Sequence, residues 1–242
     1  RDWLCDLAIE QRHADGMVAY VIPDAFKRLP NPALISAPET TAIWGDAAVW
    51  VPWALYEAYG DVAILGTQYE SMCSHVRRAD SLTSPSGLWD VGFQFGDWLD
   101  PDAPPHEPWK AKADPGVIAT ACLYRSASIV AETAELLGRV DDAAHFRALA
   151  ERTRAAFTAH YVGNDGTIAS DCVTVYSLAI VFGLLEEPTR AQSGQRLSEL
   201  VRKSGHHIST GFAGTPFVTD ALTLTGQLND AYELLLQREC PS

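Results

Sequence analysis

Apolar residues recur at helical spacing through most of this chain, and the helices they predict come in unlike pairs. Residues 46–59 are apolar almost all round, which predicts a helix covered on every side. Residues 61–78 follow with Val62, Leu65, Tyr69, Met72, Cys73 and Val76 on one face and charges on the other. That pattern predicts an amphipathic helix with one face in solvent. The alternation recurs. Residues 117–137 begin apolar all round, and the helix after them sets Phe146, Leu149, Ala150, Thr153 and Phe157 against Arg147, Glu151, Arg152 and Arg154. A third pair is expected at 172–185, which is uncharged, and 188–203, which is polar. A fourth is expected at 215–225 and 231–238.

Glycines mark the joints. Gly60-Asp61 supplies a left-handed helix end followed by an N-capping aspartate, and Gly138 and Gly226 punctuate the first and last of the remaining pairs in the same way. The spacings between these joints are unequal and longer than the ~34 or ~40 residues of tandem helical repeats, so a solenoid is disfavoured.

Ahead of the pairs, residues 1–13 form an expected helix with Trp3, Leu4, Leu7, Ala8 and Gln11 on one side, ended near Gly16. Residues 17–23 are β-branched and short, and read as extended. The stretch 23–41 holds Pro23, Pro30, Pro32 and Pro38, which predicts a long loop. Long loops inside a compact domain are usually functional.

One lone helix and four pairs make nine. Buried helices each followed by an outer partner suggest an all-α fold of the (α/α)6 toroid or six-hairpin type, incomplete, with about nine of twelve helices. The expectation is that residues 1–242 are the central part of a single such domain, truncated at both ends. In a ring of this kind the loops entering the inner helices share one mouth. Here those loops are 22–45, 81–115, 163–171 and 205–214, rich in Pro, Gly, Trp, Asp and His.

Composition narrows the partners. The net charge of −13 argues against a nucleic acid and against an anionic membrane surface. The longest conspicuous uncharged apolar run, 172–185, is short of the roughly 18 residues a membrane span requires. Cys5, Cys73, Cys122, Cys172 and Cys240 are scattered and odd in number, so neither a disulfide framework nor a zinc site is expected. Mostly buried thiols would fit a reducing compartment, but the compartment stays open between cytoplasm and exterior, and oligomeric state is not legible.

The carboxylates expected at the mouth are Asp24, Glu39, Asp46, Asp90, Asp97, Asp100, Asp102, Glu107 and Asp114. Two pairings stand out, Trp44-Gly45-Asp46 and Gly96-Asp97-Trp98. An indole face beside an acid suits a sugar: the ring stacks on C–H faces, and the carboxylate accepts hydrogen bonds from hydroxyls. The bland alternatives are an N-cap for Asp46, a turn aspartate for Asp97, and packing for both tryptophans. His206-His207 lacks the companions of a metal motif, which leaves His207 as a rim histidine and no metal expected. No phosphate-cradling loop and no serine nucleophile elbow is present, and no cofactor is expected.

These residues resemble the six-hairpin catalytic domain of bacterial α-L-rhamnosidases, glycoside hydrolase family 78. The matching stretches are Glu10-Gln11 with Asp15 to Asp24, Trp44 to Trp53, Tyr59-Gly60-Asp61, Gln68 to Met72, Phe95 to Trp98, Leu137-Gly138, His207 to Thr215 and Pro241-Ser242. They cover essentially the whole chain in order. The resemblance implies an inverting hydrolase that removes terminal α-L-rhamnose from glycosides or polysaccharides. It implies that Trp44 and Trp98 line the rhamnose pocket, with Asp46 and Asp97 near it; His207, as a rim histidine, joins them as an expected substrate-binding residue.

The departures are two catalytic runs. The family's general acid lies in an acidic signature expected upstream of Arg1, and its second carboxylate in a Trp-Glu-Arg run expected after Ser242. Neither run occurs in these 242 residues, so the chain alone is expected to be inactive. Cys172 stands where the family tends to have Gln. The alternatives are another (α/α)6 glycosidase, trehalase-like or glucoamylase-like, and a non-catalytic helical carbohydrate-binding module.

Overall fold

The computed structural model describes residues 1–29 and 39–240. Among these are nine α-helices: α1 (Asp2–His13), α2 (Ala47–Tyr59), α3 (Val62–Ser81), α4 (Pro115–Leu136), α5 (Val140–Tyr161), α6 (Val173–Val181), α7 (Thr189–Lys203), α8 (Val218–Leu224) and α9 (Leu228–Leu235). Strand pairing among the described residues is limited to an isolated bridge between Val162 and Ile168. No helix among them is long and apolar enough to cross a membrane.

Two compact units divide the chain. The first comprises Arg1–Gln94 and Cys122–Thr153, the second Phe95–Ala121 and Arg154–Ser242. In the first, α1 and α2 pack on α3 and on each other. Leu7, Val18 and Ala48 share one cluster there, with Ile22 packed against it. Gln11, a polar residue on the inward face of α1, is buried because its amide donates to the carbonyls of Gly16 and Ser71 while its Oε1 accepts from the Ser71 hydroxyl. In the second unit, α6 packs against α7 and α8, and α9 packs against α7 and α8.

The joints form as their residues dictate. Gly60, Gly138 and Gly226 have φ of +66°, +70° and +78°, and a Cβ at any of them would meet nothing within 4 Å. These glycines are therefore required by backbone conformation and not by crowding. After Gly60, the Asp61 carboxylate accepts from the Ala63 amide and caps α3.

Four expectations need correction. Helix α2 is not covered on every side: Ala48, Val49 and Pro52 are buried, while Ala54 and Glu57 to Tyr59 are exposed. Apolar composition shows what a helix can bury, not what is there to cover it. The uncharged α6 does meet that expectation, with every residue from Val173 to Ile180 buried. Residues 17–23 are irregular and bend at 20–23 without pairing as a strand. Helix α9 begins at Leu228, earlier than residue 231, because Asp230 sits in its first turn where a carboxylate favours the helix N-terminus. Val62, expected on the covered face of α3, is 40% exposed, and the buried face runs instead through Ile64, Leu65, Gln68, Tyr69 and Met72 to Ala79. Pro30, Pro32 and Pro38 of the expected loop, and the final Pro241-Ser242, lie outside the described residues.

Candidate functional site

In the first unit, Trp44 sits in a tight turn that leads into α2. The Gly45 amide donates to the Thr41 carbonyl and the Trp44 amide to the Ala42 carbonyl, both at 2.9 Å. Ile43, just before the tryptophan, has φ +69°. That left-handed conformation is a genuine outlier for a β-branched residue. Asp46 holds it there: its Oδ2 accepts the Ile43 amide at 2.7 Å. Its Oδ1 accepts the Ser126 hydroxyl at 2.5 Å and His75 Nε2 at 3.0 Å. Asp46 therefore stands at the N-cap position of α2, but its side chain makes no cap bond and turns back toward residue 43. Asp46 and His75 are both fully buried. Burial alone would push the Asp46 carboxyl up. The hydrogen bond and charge of His75, with the Ser126 and Ile43 donors, outweigh it and hold the group below the usual carboxylate range.

In the second unit, the same device is built from different parts. Asp97 is fully buried, and four donors converge on it: the amides of Gly211 (2.9 Å), Ala213 (2.9 Å) and Gly214 (3.1 Å), and the Thr174 hydroxyl. Burial raises its carboxyl above the usual range; the Thr174, Gly211 and Gly214 donors only partly counter this. The Phe212 amide donates to the Trp98 carbonyl at 2.9 Å, so residues 210–214 are bolted along the Asp97-Trp98 segment. A Cβ on Gly211 would stand 2.3 Å from the Asp97 carbonyl oxygen and 2.4 Å from that of Trp98, so only glycine fits. Here too an aliphatic residue beside the tryptophan is left-handed, Leu99 at φ +63°. The Trp98 ring lies against Trp109, with centroids 6.2 Å apart, and meets the edge of Phe95 at 5.1 Å.

Both tryptophans are half-buried, which leaves part of each indole to solvent. Neither Asp46 nor Asp97 offers an exposed oxygen. His207 is half-buried and lines an apolar cleft of about 150 Å³ with Ile208, Val218 and Leu234. Its Nδ1 lies 3.0 Å from the Ser204 carbonyl. A carbonyl only accepts, so Nδ1 carries a proton and donates it to Ser204.

Most of the other candidate carboxylates are engaged by the protein. Asp24 accepts the Phe26 amide, Glu39 pairs with Arg78, Asp100 and Asp102 share Lys112, and Glu107 pairs with Lys110. Asp114 caps α4 through the Gly116 amide at 2.7 Å, and Asp90 is exposed. No group of three or more metal-ligating side chains occurs among the described residues.

The model of the bacterial alpha-L-rhamnosidase six-hairpin glycosidase domain matches residues 1–242. The chain belongs to this family. It is 37% identical over 241 residues to an alpha-L-rhamnosidase of Streptomyces avermitilis, covering 99% of this chain and 21% of that protein. It is 32% identical to one of Formosa agariphila, covering 96% and 24%. Among solved structures, native α-L-rhamnosidase from Aspergillus terreus superimposes with a TM-score of 0.91 at 30% identity, over 99% of this chain and 27% of that one. The S. avermitilis enzyme complexed with L-rhamnose superimposes with a TM-score of 0.85 at 35% identity, over 99% and 21%. The chain thus spans about a fifth to a quarter of the length of the rhamnosidases it matches, and the nine helices among its described residues match the family's six-hairpin fold.

His75, Ser126 and Thr174 did not stand out in the sequence, although a signal was present. Each is a polar residue on an otherwise apolar helix face or run: His75 with Met72 and Ala79 on α3, Ser126 with Leu123 and Val130 on α4, and Thr174 between Val173 and Val175 on α6. A polar group that a helix must bury needs a partner, and an aspartate elsewhere in the chain is the natural one.

Proposed function

We propose that this chain supplies sugar-binding faces of an α-L-rhamnosidase, a glycosidase that releases terminal α-L-rhamnose from glycosides or polysaccharides. The observation that carries this reading is the recurrence of one design. Trp44 in the first unit and Trp98 in the second each ride on a turn locked by a buried, hydrogen-bonded aspartate. A half-exposed indole held rigid is a stacking surface for the C–H face of a deoxysugar and loses little entropy on binding. In this reading Asp46 and Asp97 serve the sugar indirectly, by holding the rings, and His207 offers its Nε2. Similarity to the enzyme solved with L-rhamnose supports the choice of sugar.

The inverting general acid and the second carboxylate belong, on this proposal, to sequence runs absent from these 242 residues. Proton transfer by positioned groups contributes about 10²–10⁴-fold, so the chain alone should bind L-rhamnose and hydrolyse no aryl α-L-rhamnoside. Titration calorimetry with L-rhamnose, D-glucose and α,α-trehalose tests this. Binding of L-rhamnose in preference to the glucosides, weakened by Trp98→Ala, is expected. Turnover of an aryl rhamnoside by the purified chain, or equal affinity for all three sugars, would refute it.

A further inference from the structure

The turn at 41–46 is more expensive than a connection into α2 needs to be. Ile43 at φ +69° carries left-handed strain that Gly, or to a lesser degree Asn, would avoid. The group that holds it is costly as well. Asp46, His75 and Ser126 are all buried, and a buried ionic cluster is often no more stabilising than apolar residues of the same volume. His75 spends one nitrogen on Asp46 and leaves Nδ1 buried without a hydrogen-bond partner among the described residues. Ser126 extends the cluster: while donating to Asp46, it accepts the Trp50 indole N–H at 2.9 Å from the next turn of α2. The turn has no room to relax. A Cβ on Gly45 would stand 2.3 Å from Thr40 Oγ1, 2.7 Å from His75 Cε1 and 2.9 Å from the Thr41 carbonyl. Strain kept in place by an over-determined surround points to function at the strained residue's neighbour. That neighbour is Trp44.

We propose that His75 and Ser126, acting through Asp46, are positioning residues: they clamp the 41–46 turn in its left-handed form so that Trp44 presents a fixed face to L-rhamnose. The inference rests on the functional reading above. Its test uses the purified protein and three measurements: L-rhamnose affinity by calorimetry, thermal melting, and hydrogen exchange at the Ile43 amide. Ile43→Gly removes the strain and the stiffness together, so the melting temperature should hold while L-rhamnose affinity falls about tenfold, equivalent to 1.4 kcal/mol. His75→Leu should weaken affinity to a similar degree. His75→Gln, whose amide can still donate to Asp46, should restore most of it. A purely structural cluster would move melting and affinity together and would leave Ile43→Gly with normal affinity. Unchanged L-rhamnose affinity in a folded Ile43→Gly protein therefore overturns the proposal, and this variant carries the test if His75→Leu fails to fold. If the unmodified protein binds no L-rhamnose, the functional reading falls. Ile43 exchange that is slow in the unmodified protein and fast in Ile43→Gly would then show a clamp without a sugar to serve, which also overturns the proposal.

Discussion

Replacing Asp97 by Asn changes one oxygen into an NH₂ group without changing shape, and the structure says which bond breaks. If the amide is oriented to keep its oxygen toward Ala213 and Gly214, those two amides retain an acceptor. The new NH₂ then occupies the place of Oδ2, which accepts from the Gly211 amide and the Thr174 hydroxyl. Thr174 can rotate and become the acceptor. The Gly211 amide cannot, and it is left buried and facing another donor. An unsatisfied buried donor costs about 1–3 kcal/mol. The two surviving bonds lose their charge assistance, and such bonds are roughly twice as strong as neutral ones. Against this, the variant no longer buries a charge, and burial is the largest influence on Asp97. The balance is a loss of about 2–3 kcal/mol, within the range for a disrupted buried network. Urea unfolding measures it. Hydrogen exchange localises it: the Gly211 amide should speed up more than those of Ala213 and Gly214. A loss well under ~1 kcal/mol, or uniform exchange across the three amides, would show that Asp97 does not pin this loop.

Two further expectations follow from local geometry. Gly60→Ala should destabilise by about 1 kcal/mol, because the left-handed φ is unfavourable for alanine while no neighbour crowds the new methyl; a chemical denaturation series reports it, and an unchanged midpoint would contradict the conformational argument. Acid should weaken the α7–α9 region through Asp230, which accepts from Ser198, Arg202 and His206 and is held at about 2 despite the opposing effect of burial. Because its folded value lies below its ordinary value near 3.8, its contribution is full above about pH 4 and is lost as pH falls toward 2. Melting curves from pH 6 to pH 2 should therefore show a steeper acid loss in the unmodified protein than in Arg202→Met, and parallel curves would argue against the linkage.

What the sequence made legible was whatever depends on neighbours along the chain. Helix α6 is uncharged over a full helical run, so its burial could be read directly. Gly60-Asp61 encodes a left-handed end and a cap in adjacent residues, and both formed as expected. Glycine-aspartate-tryptophan groupings drew attention to Asp46 and Asp97 because the three residues are contiguous. What each carboxylate does was not legible, since its partners are remote: His75 and Ser126 for Asp46, Thr174 and residues 211–214 for Asp97. The same limit explains α2, whose apolar sides predicted cover that no local pattern can supply.

The two aspartates also show how one motif can serve two different contacts. A carboxylate next to an indole is compatible with direct hydrogen bonding to sugar hydroxyls and with bracing the indole from behind. The sequence does not separate these, because the choice turns on which way one side chain points. Burial and donor count do separate them. Four protein donors fill the acceptor sites of Asp97, and Asp46, with three donors, is fully buried, so neither presents an oxygen at the surface. Free carboxylates at these positions would have to be rehydrated between sugars, whereas braced indoles are ready before the sugar arrives. On the sugar-binding proposal, Trp44 and Trp98 each carry recognition within their own unit, and the acids matter in proportion to how rigidly they hold them.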